Sequence, residues 1–521
     1  MLFASTMAFA AIRYHLSENN INHLLYKKKD IFCSIIRYLY AQNFDYMKQF
    51  ILLLMFIFFS FKVFYAQEKW TLERCILYAL ENNLQVKIQE LSKKSNEAAY
   101  FKNKTMFFPT LNANANQGYT VGHSIDPLTN EFAESNVQSN NFSVTSNWNL
   151  FSGFQNVNNL KQSYYNLQAS LMDYEKAKND IVLNIASLYL QILLSDELYQ
   201  VAMNQRALSQ MQVERTKKLY LAGSLAQGTY LEMESQLASD EMQWVSAKNA
   251  LDLAKLNLVQ LLDLGIADSI EIEKPMLSEP DTLFPALNPQ QIYEEAKRNL
   301  PNIKSVEYKM LAAEKGLAAA RGYRSPRISL GGSYATGYSS QRKSITNISL
   351  DNPYISGYTI DGNGNQYPVY SYNMKYNYKT TDFNQQLKDN VSKSLTINLT
   401  IPIFNNWQAN YAISSAKINA LNAKYQYEMA DKQLVKDIRQ AYNDAVAAYK
   451  KYIAAKKAER ASTESFKYTE QKFNVGLANT YDYNLAKTNL IRAQSEVIKS
   501  KYEYIFKLKI IDFYSGKPFK L

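Results

Sequence analysis

Two stretches of the chain, Phe154 to Ala222 and Trp407 to Val475, are each 69 residues long and contain neither glycine nor proline. They start 253 residues apart, and their borders match position for position. Phe151 corresponds to Phe404, Tyr189 to Tyr442, Gly223 to Gly476 and Tyr230 to Tyr483. A helix of that length runs ~100 Å at ~1.5 Å per residue. Few globular domains can cover such a rod. A duplicated pair therefore predicts an elongated object built from two copies of one unit.

The rest of each copy follows the same plan. A helical segment from Trp70 to Lys104 carries Leu72, Ile76, Ala79, Leu80 and Leu84 on one stripe, and it ends before Pro109. A second begins near Pro289, with Ile292, Ala296, Leu300 and Ile303 in similar spacing, and ends before Pro326. Here the offset is 217, so 36 extra residues must lie between Pro326 and Phe404. Their Tyr, Asn, Ser and Gly content, as in YTIDGNGNQYPVYSYN (358–373), reads as a surface loop. Helical half-rods are expected from Thr229 to Leu264 and from Gly476 to about Tyr514. Two half-rods stacked end to end match one full rod, so a wall of uniform height is possible. The expected division is a first repeat over 67–288, ending in a proline-rich linker (265–288), and a second over 289–521 with a long outer loop at 337–392.

Between helices, apolar and small polar residues alternate with a period of two. Phe142, Val144, Trp148 and Leu150 alternate with Ser143, Thr145, Asn147 and Asn149. Leu395, Ile397, Leu399, Ile401 and Ile403 alternate with Thr396, Asn398 and Thr400. Ile328, Leu330 and Tyr334 do so with Ser329 and Ser333, and the run after Pro109 is weaker. Runs of ~10 residues suit tilted strands that cross a bilayer. A half-buried soluble sheet shows the same alternation, but here no soluble domain is evident for it to pack on. Four strands cannot close a membrane barrel, for which about eight is the minimum. Spanning strands would therefore require oligomerisation, and three copies would supply twelve.

Residues 47–66 (MKQFILLLMFIFFSFKVFYA) have the order of a secretory signal, with Lys48, an apolar run and Ala66 at the cut. Met47 is then the expected start and 1–46 an upstream over-extension; a short membrane anchor is the alternative. After Ala66 no apolar run is read as a membrane-spanning helix. Net charge is +11, four of which fall within 1–66, and no compact basic patch points to nucleic acid. Of the two cysteines, Cys33 and Cys75, only the second follows the cut, so no disulfide within the mature chain is expected. One histidine remains, His123, in a loop context. No catalytic constellation, metal site or phosphate loop is visible, so neither an enzyme nor a cofactor is expected.

Taken together, the two-copy layout, NWNLFSGFQN (147–156) with IPIFNNWQAN (401–410), and the turns LYLAGSLAQGTYLEMESQL (219–237) and KFNVGLANTYDYNLAKTNL (472–490) resemble the outer-membrane efflux proteins of the TolC family. The resemblance covers about 70–512. It implies a homotrimer, with a twelve-stranded barrel in the outer membrane and a helical tunnel in the periplasm. It implies a passive exit duct for drug efflux or type I secretion, joined through a periplasmic adaptor to an inner-membrane transporter of RND, ABC or MFS type. It assigns adaptor docking to the tips Ala222, Gly223, Ser224, Leu225 and Val475, Gly476, Leu477, Ala478. It also assigns a tunnel gate to Asp482, with Tyr481 and Tyr483 beside it; the second acidic position of the family is Leu485 here. Asp482 has a plainer alternative as a helix cap or first-turn acid. The family's glycine after the strand Phe is kept at Gly153 and replaced by Asn405–Asn406. Aromatics at strand ends, among them Phe107, Phe108, Tyr119, Trp148, Phe404 and Trp407, fit interfacial belts. A secreted structural or adhesive coiled coil without a pore is the competing reading.

Overall fold

The computed structural model describes residues 69–125, 130–133, 136–265, 270–275 and 288–517. The expected signal segment, the residues before it and most of the linker lie outside these. Trp70–Leu521 is one compact unit.

Two 67-residue helices dominate, α3 (Gln155–Leu221) and α8 (Gln408–Asn474). Each is followed by a shorter helix, α4 (Gln227–Leu262) and α9 (Thr480–Tyr514). The leading half-rods are each broken in two. The first is α1 (Leu72–Asn82) and α2 (Leu84–Thr105); the second is α5 (Pro289–Asn299) and α6 (Pro301–Arg321). The breaks fall at Asn83 and Leu300, which are equivalent positions, for different chemical reasons. Asn83 leaves the helical backbone and its side chain accepts from Gln85 and Val86 N–H. Leu300 precedes Pro301, which pushes it out of the α region and starts a new helix. Sequence reading treated each half-rod as continuous and missed both breaks.

Asn83 also donates to the Leu261 carbonyl at 3.1 Å, which ties the start of α2 to the end of α4. The two half-rods thus meet at mid-height of α3, against a core of Ile181, Ile185, Tyr189, Ile192, Leu258 and Leu262. That core makes α3 apolar enough by composition to cross a bilayer, contrary to the sequence reading, but those residues face protein. Cys75 lies in the same cluster. Around it runs a short parallel bridge, Trp70 to Ile272, and the Tyr189 hydroxyl donates to the Trp70 carbonyl at 3.2 Å. The second copy repeats this at Ile292, Ala296, Leu434, Ile438 and Ile511. Helix α6 packs on both α3 and α8, joining the copies, and Asp173 pairs with Lys309 at 2.8 Å.

Four strands, β1 (Thr110–Thr120), β4 (Val137–Phe151), β5 (Arg327–Ser339) and β10 (Ser392–Thr400), form one antiparallel sheet in that order. Between β1 and β4 sits a small hairpin, β2 (Ser124–Ile125) with β3 (Phe132–Ala133). Between β5 and β10 the extra residues form β6 (Lys343–Leu350), β7 (Tyr354–Ile360), β8 (Gln366–Ser371), β9 (Met374–Thr380) and α7 (Phe383–Asp389). The expected loop is therefore an ordered β-ribbon.

Each long helix starts at a sharp strand-to-helix joint. Phe154 and Trp407, at equivalent positions, both take left-handed backbone (φ 61° and 65°). The residues before them do the same, Gly153 at 62° and Asn406 at 49°, so asparagine does replace the missing glycine. At Gly153 a Cβ would lie 2.4 Å from Ser325 Cβ and 2.8 Å from the Gly322 carbonyl oxygen. Left-handed backbone alone costs a non-glycine residue ~1–2 kcal/mol. Gly153→Ala is expected to destabilise by more than ~2 kcal/mol once the overlap is added. Heat dissociation of the assembled protein on semi-native gels measures it; a shift no larger than that of a surface substitution would refute the close approach.

Candidate functional site

Two regions carry the chemistry, the sheet and the helix tips. The sheet has two faces of opposite character. One row across it is Asn112, Thr145, Ser333 and Ser394, with the two serine hydroxyls 2.8 Å apart. The next row, on the other face, is Ala113, Val144, Tyr334 and Lys393; another is Trp148, Leu330 and Ile397. The polar face is Asn, Ser, Thr, Gly and Ala over most of its height, with Arg327 at the helix end. The apolar face is bare: Leu395, Ile397 and Leu399 are 61–76% exposed. Lys393, at the outer end of β10, lies 5.8 Å over the Tyr334 ring.

Among the described residues nothing pairs with the outer edge of β1 or of β10. An open sheet with one greasy face and two free edges is an aggregation template in water. Closed into a barrel in lipid, the same features are satisfied. The expected aromatic positions divide by height. Phe107, Phe108, Trp148, Phe404 and Trp407 gather where strands meet helices, with Trp148 Nε1 donating to the Phe107 carbonyl at 2.8 Å. Tyr119 and Tyr338 sit near the other end, whereas Phe142 and Tyr334 pair mid-strand with Ala115 and Val144, away from either end.

The tips are built identically. At the first, Gly223 (φ 74°) donates to the Tyr220 carbonyl and Ser224 to the Leu219 carbonyl, both at 2.9 Å. At the second, Gly476 (φ 77°) donates to Phe473 at 3.2 Å and Leu477 to Lys472 at 2.8 Å. This is the Schellman arrangement, in which a left-handed residue lets two N–H groups cap the last helical carbonyls. Ala222, Gly223, Ser224, Val475, Gly476 and Leu477 are exposed, Leu225 and Ala478 half-buried. Leu477 is the more prominent apolar knob, at 79% exposure.

Asp482 sits in the first turn of α9, where its N–H is capped by the Asn479 side chain at 2.8 Å. Its carboxylate is at the positive end of the helix dipole and exposed, and so is Tyr481 beside it. Tyr483 departs from the expectation. It is fully buried, 4.7 Å from Phe473 and 5.5 Å from Phe466, with Val213 and Met233 completing the cluster. Burial pushes its hydroxyl up to about 12. It wedges the second tip against the first instead of facing a mouth. The tips are also tied by Arg215 donating to Asn474 Oδ1 at 2.6 Å and Thr480 donating to Glu232.

Sequence reading missed a buried polar cluster just above. Lys487 on α9 donates to Ser209 on α3 at 2.6 Å and lies 3.5 Å from the Asp240 carboxylate on α4. Asp240 also accepts from Gln205 at 3.1 Å, from Gln236 at 2.9 Å, and from Ser209. No local pattern brings positions 209, 240 and 487 together; only the rod packing does. His123 is exposed and Cys75 buried.

The family model for outer membrane efflux proteins matches residues 76–263 and 292–509, once per copy. The chain belongs to that family. Membership places it among the efflux proteins of the outer membrane. It is 23% identical over 338 residues to the outer membrane protein TolC of Escherichia coli (strain K12), covering 64% of this chain and 60% of that one. The TolC of Salmonella enteritidis is 22% identical over the same length. The chain thus spans about 60% of the length of these curated relatives. Solved structures share the fold. The outer membrane protein VceC of Vibrio cholerae superposes with TM-score 0.69 at 14% identity, over 86% of this chain and 97% of that one. The open-state MtrE channel of Neisseria gonorrhoeae gives 0.65 at 18%, over 85% and 88%.

Proposed function

We propose that three copies of this chain form a passive exit duct through the outer membrane. The observation that carries this reading is the four-stranded sheet with both edges open, an exposed apolar face and an Asn/Ser/Thr face. Three such sheets joined edge to edge make twelve strands with lipid outside and water inside. The rods continue the wall into the periplasm. The bare apolar face disfavours a secreted coiled-coil scaffold, which would have to leave it in water.

The tips are the docking ends. Each offers a small apolar knob at a rigid turn, Leu225 or Leu477, suited to end-to-end contact with the hairpin of a periplasmic adaptor. The adaptor in turn joins the duct to an inner-membrane transporter. At the second tip, three copies of Asp482 with Tyr481 around the axis form an acidic constriction that favours cations.

Conductance of the purified protein in a planar bilayer tests the duct. A trimer-sized, heat-modifiable species in the outer-membrane fraction that conducts ions is expected; a soluble periplasmic monomer would overturn it. In the conducting protein, Asp482→Asn is expected to lower cation preference with little change in yield. An unchanged reversal potential leaves Asp482 as a helix-start acid and nothing more.

A further inference from the structure

Each half of the ribbon between β5 and β10 carries a row of apolar side chains along one face. In the inner half Ile345, Ile348 and Leu350 stand opposite Tyr378, Tyr376 and Met374. The other face pairs Ser344 with Lys379, Asn347 with Asn377 and Ser349 with Lys375. In the outer half Ile355 stands opposite Tyr370, and Tyr358 opposite Pro368, while the other face there also carries exposed Tyr354, Tyr367 and Val369. The Asp351 N–H bonds to the Asn373 carbonyl at 2.9 Å, bridging the halves. A plain strand would put Ile345 and Ile348 on opposite faces, three residues apart, and likewise Ile355 and Tyr358. A register shift lies between each pair, at Ile345/Asn347 and at Ile355/Gly357. Each inserts one residue and returns the next apolar side chain to the same face. Two independent bulges with the same effect mark that face as one that must be covered.

In the isolated chain it is not covered. Ile348, Leu350, Tyr358, Tyr370 and Tyr376 are 42–61% exposed. A two-stranded ribbon is marginal in water by itself. Eighteen residues at ~3.3 Å and two strands ~4.8 Å apart give a face of roughly 600 Å². That approaches the ~800 Å² each partner gives a stable interface.

The root is rigid, so the ribbon's direction is set. Gln386 on α7 is fully buried. Its oxygen accepts from the Ser339 N–H at 2.9 Å; its amide donates to the carbonyls of Ser339 and Thr381 at 2.9 and 2.8 Å. Asn390 donates to the Gly337 carbonyl at 2.7 Å. The root therefore stands directly beside β10, one of the two free edges of the sheet.

We propose that the occupant of this face is the same face of a neighbouring copy, so that the ribbons pack on one another above the outer mouth of the barrel. This rests on the trimeric duct. Twelve strands ~4.8 Å apart and tilted ~40° close a ring of roughly 12 Å radius. Ribbons several times longer than that radius rise from its rim and are brought within reach of each other by symmetry. Lys375 and Lys379 lie on the opposite face; the one lysine on the apolar face, Lys343, stands at its root end opposite Thr380, so beyond the root apolar surfaces meet without like-charge repulsion.

Adjacent residues on opposite faces test it. Tyr376→Cys and Asn377→Cys, in the full-length protein in intact cells, are treated with a short thiol-to-thiol cross-linker. Both variants carry Cys33→Ser, and Cys75 stays silent, because it is buried and burial pushes its thiol up to about 12. The expected result is a covalent dimer of this chain at Tyr376→Cys, severalfold above that at Asn377→Cys. A semi-native gel of the same samples reports the trimer. A trimer in which Tyr376→Cys does not self-link, or links only to a different chain, overturns the ribbon contact and leaves the duct standing. A face turned onto lipid gives that outcome together with labelling by a membrane-confined thiol reagent. No trimer at all removes both.

Discussion

Ile397→Arg is expected to remove the protein from the outer membrane, while Asn398→Arg leaves it there and changes which ions pass. The two residues are neighbours near the middle of β10 and both side chains are exposed in the isolated chain. Solvent exposure therefore does not distinguish them; the medium on each side does. Ile397 continues a row through Leu330 and Trp148, whereas Asn398 stands opposite Ser329 in the row that faces the lumen. A cationic side chain on the lipid face costs about 2–4 kcal/mol per copy at mid-bilayer and less toward the interfaces, and three copies carry it together. On the lumenal face the same charge stays hydrated and adds a ring of three cations to the pore. Outer-membrane fractionation on semi-native gels should show the trimer lost for Ile397→Arg and kept for Asn398→Arg. Reversal potentials under a salt gradient should then move toward anion preference for Asn398→Arg. Equal insertion of both variants would mean that the faces have been assigned wrongly.

The alternation that separates Ile397 from Asn398 was visible in the sequence because a strand's period is two and because no charge interrupts it. The rods were visible for a similar reason: 67-residue helices leave a long gap in the glycine and proline record, and a Schellman turn puts a glycine just after each rod. What the sequence concealed is what depends on more than one segment. The break at Leu300 had a local signal in Pro301, but the one at Asn83 takes its meaning from the Leu261 carbonyl it also binds. The ribbon was hidden by its own tip. Asp361-Gly-Asn-Gly364 and the surrounding Asn and Ser residues read as loop, although alternating Ile and Tyr on either side of such a turn is a hairpin signature. Tyr483 was expected at the mouth by its place in the turn; it is Phe466 and Phe473, on a different helix, that draw it inward.

The Lys487–Asp240 cluster is the extreme case, and it carries the second large expected effect. Lys487→Met is expected to cost roughly 3–5 kcal/mol, because it leaves the Asp240 carboxylate buried without its cation. Asp240→Leu should cost a similar amount from the other side. The double variant should recover most of the loss, since removing both charges together also removes their desolvation cost. Only the polar partners Ser209, Gln205 and Gln236 then remain to be satisfied. Denaturant unfolding of the detergent-solubilised protein, as a double-mutant cycle, gives the coupling directly. The pH dependence adds a sign that mere loss of packing lacks. Burial holds Lys487 below the usual lysine range, and Asp240 opposes that shift. In Asp240→Leu the opposition is gone, so the folded chain holds the lysine proton less tightly still, while the unfolded chain keeps its ordinary affinity. Between the lowered folded value and the unfolded one, the unfolded state binds more protons, and stability must rise with pH. Asp240→Leu should therefore regain stability as the solution is made alkaline toward 10.5, the ordinary lysine value, and Asp240→Leu/Lys487→Met should not. The cluster joins α3, α4 and α9 one turn above Tyr483, so it is also a polar tie holding the second tip to the first. Loosening it should raise the conductance of the duct. A double-mutant cycle with coupling near zero, together with unchanged conductance, would show that the rods are held at this height by apolar packing alone.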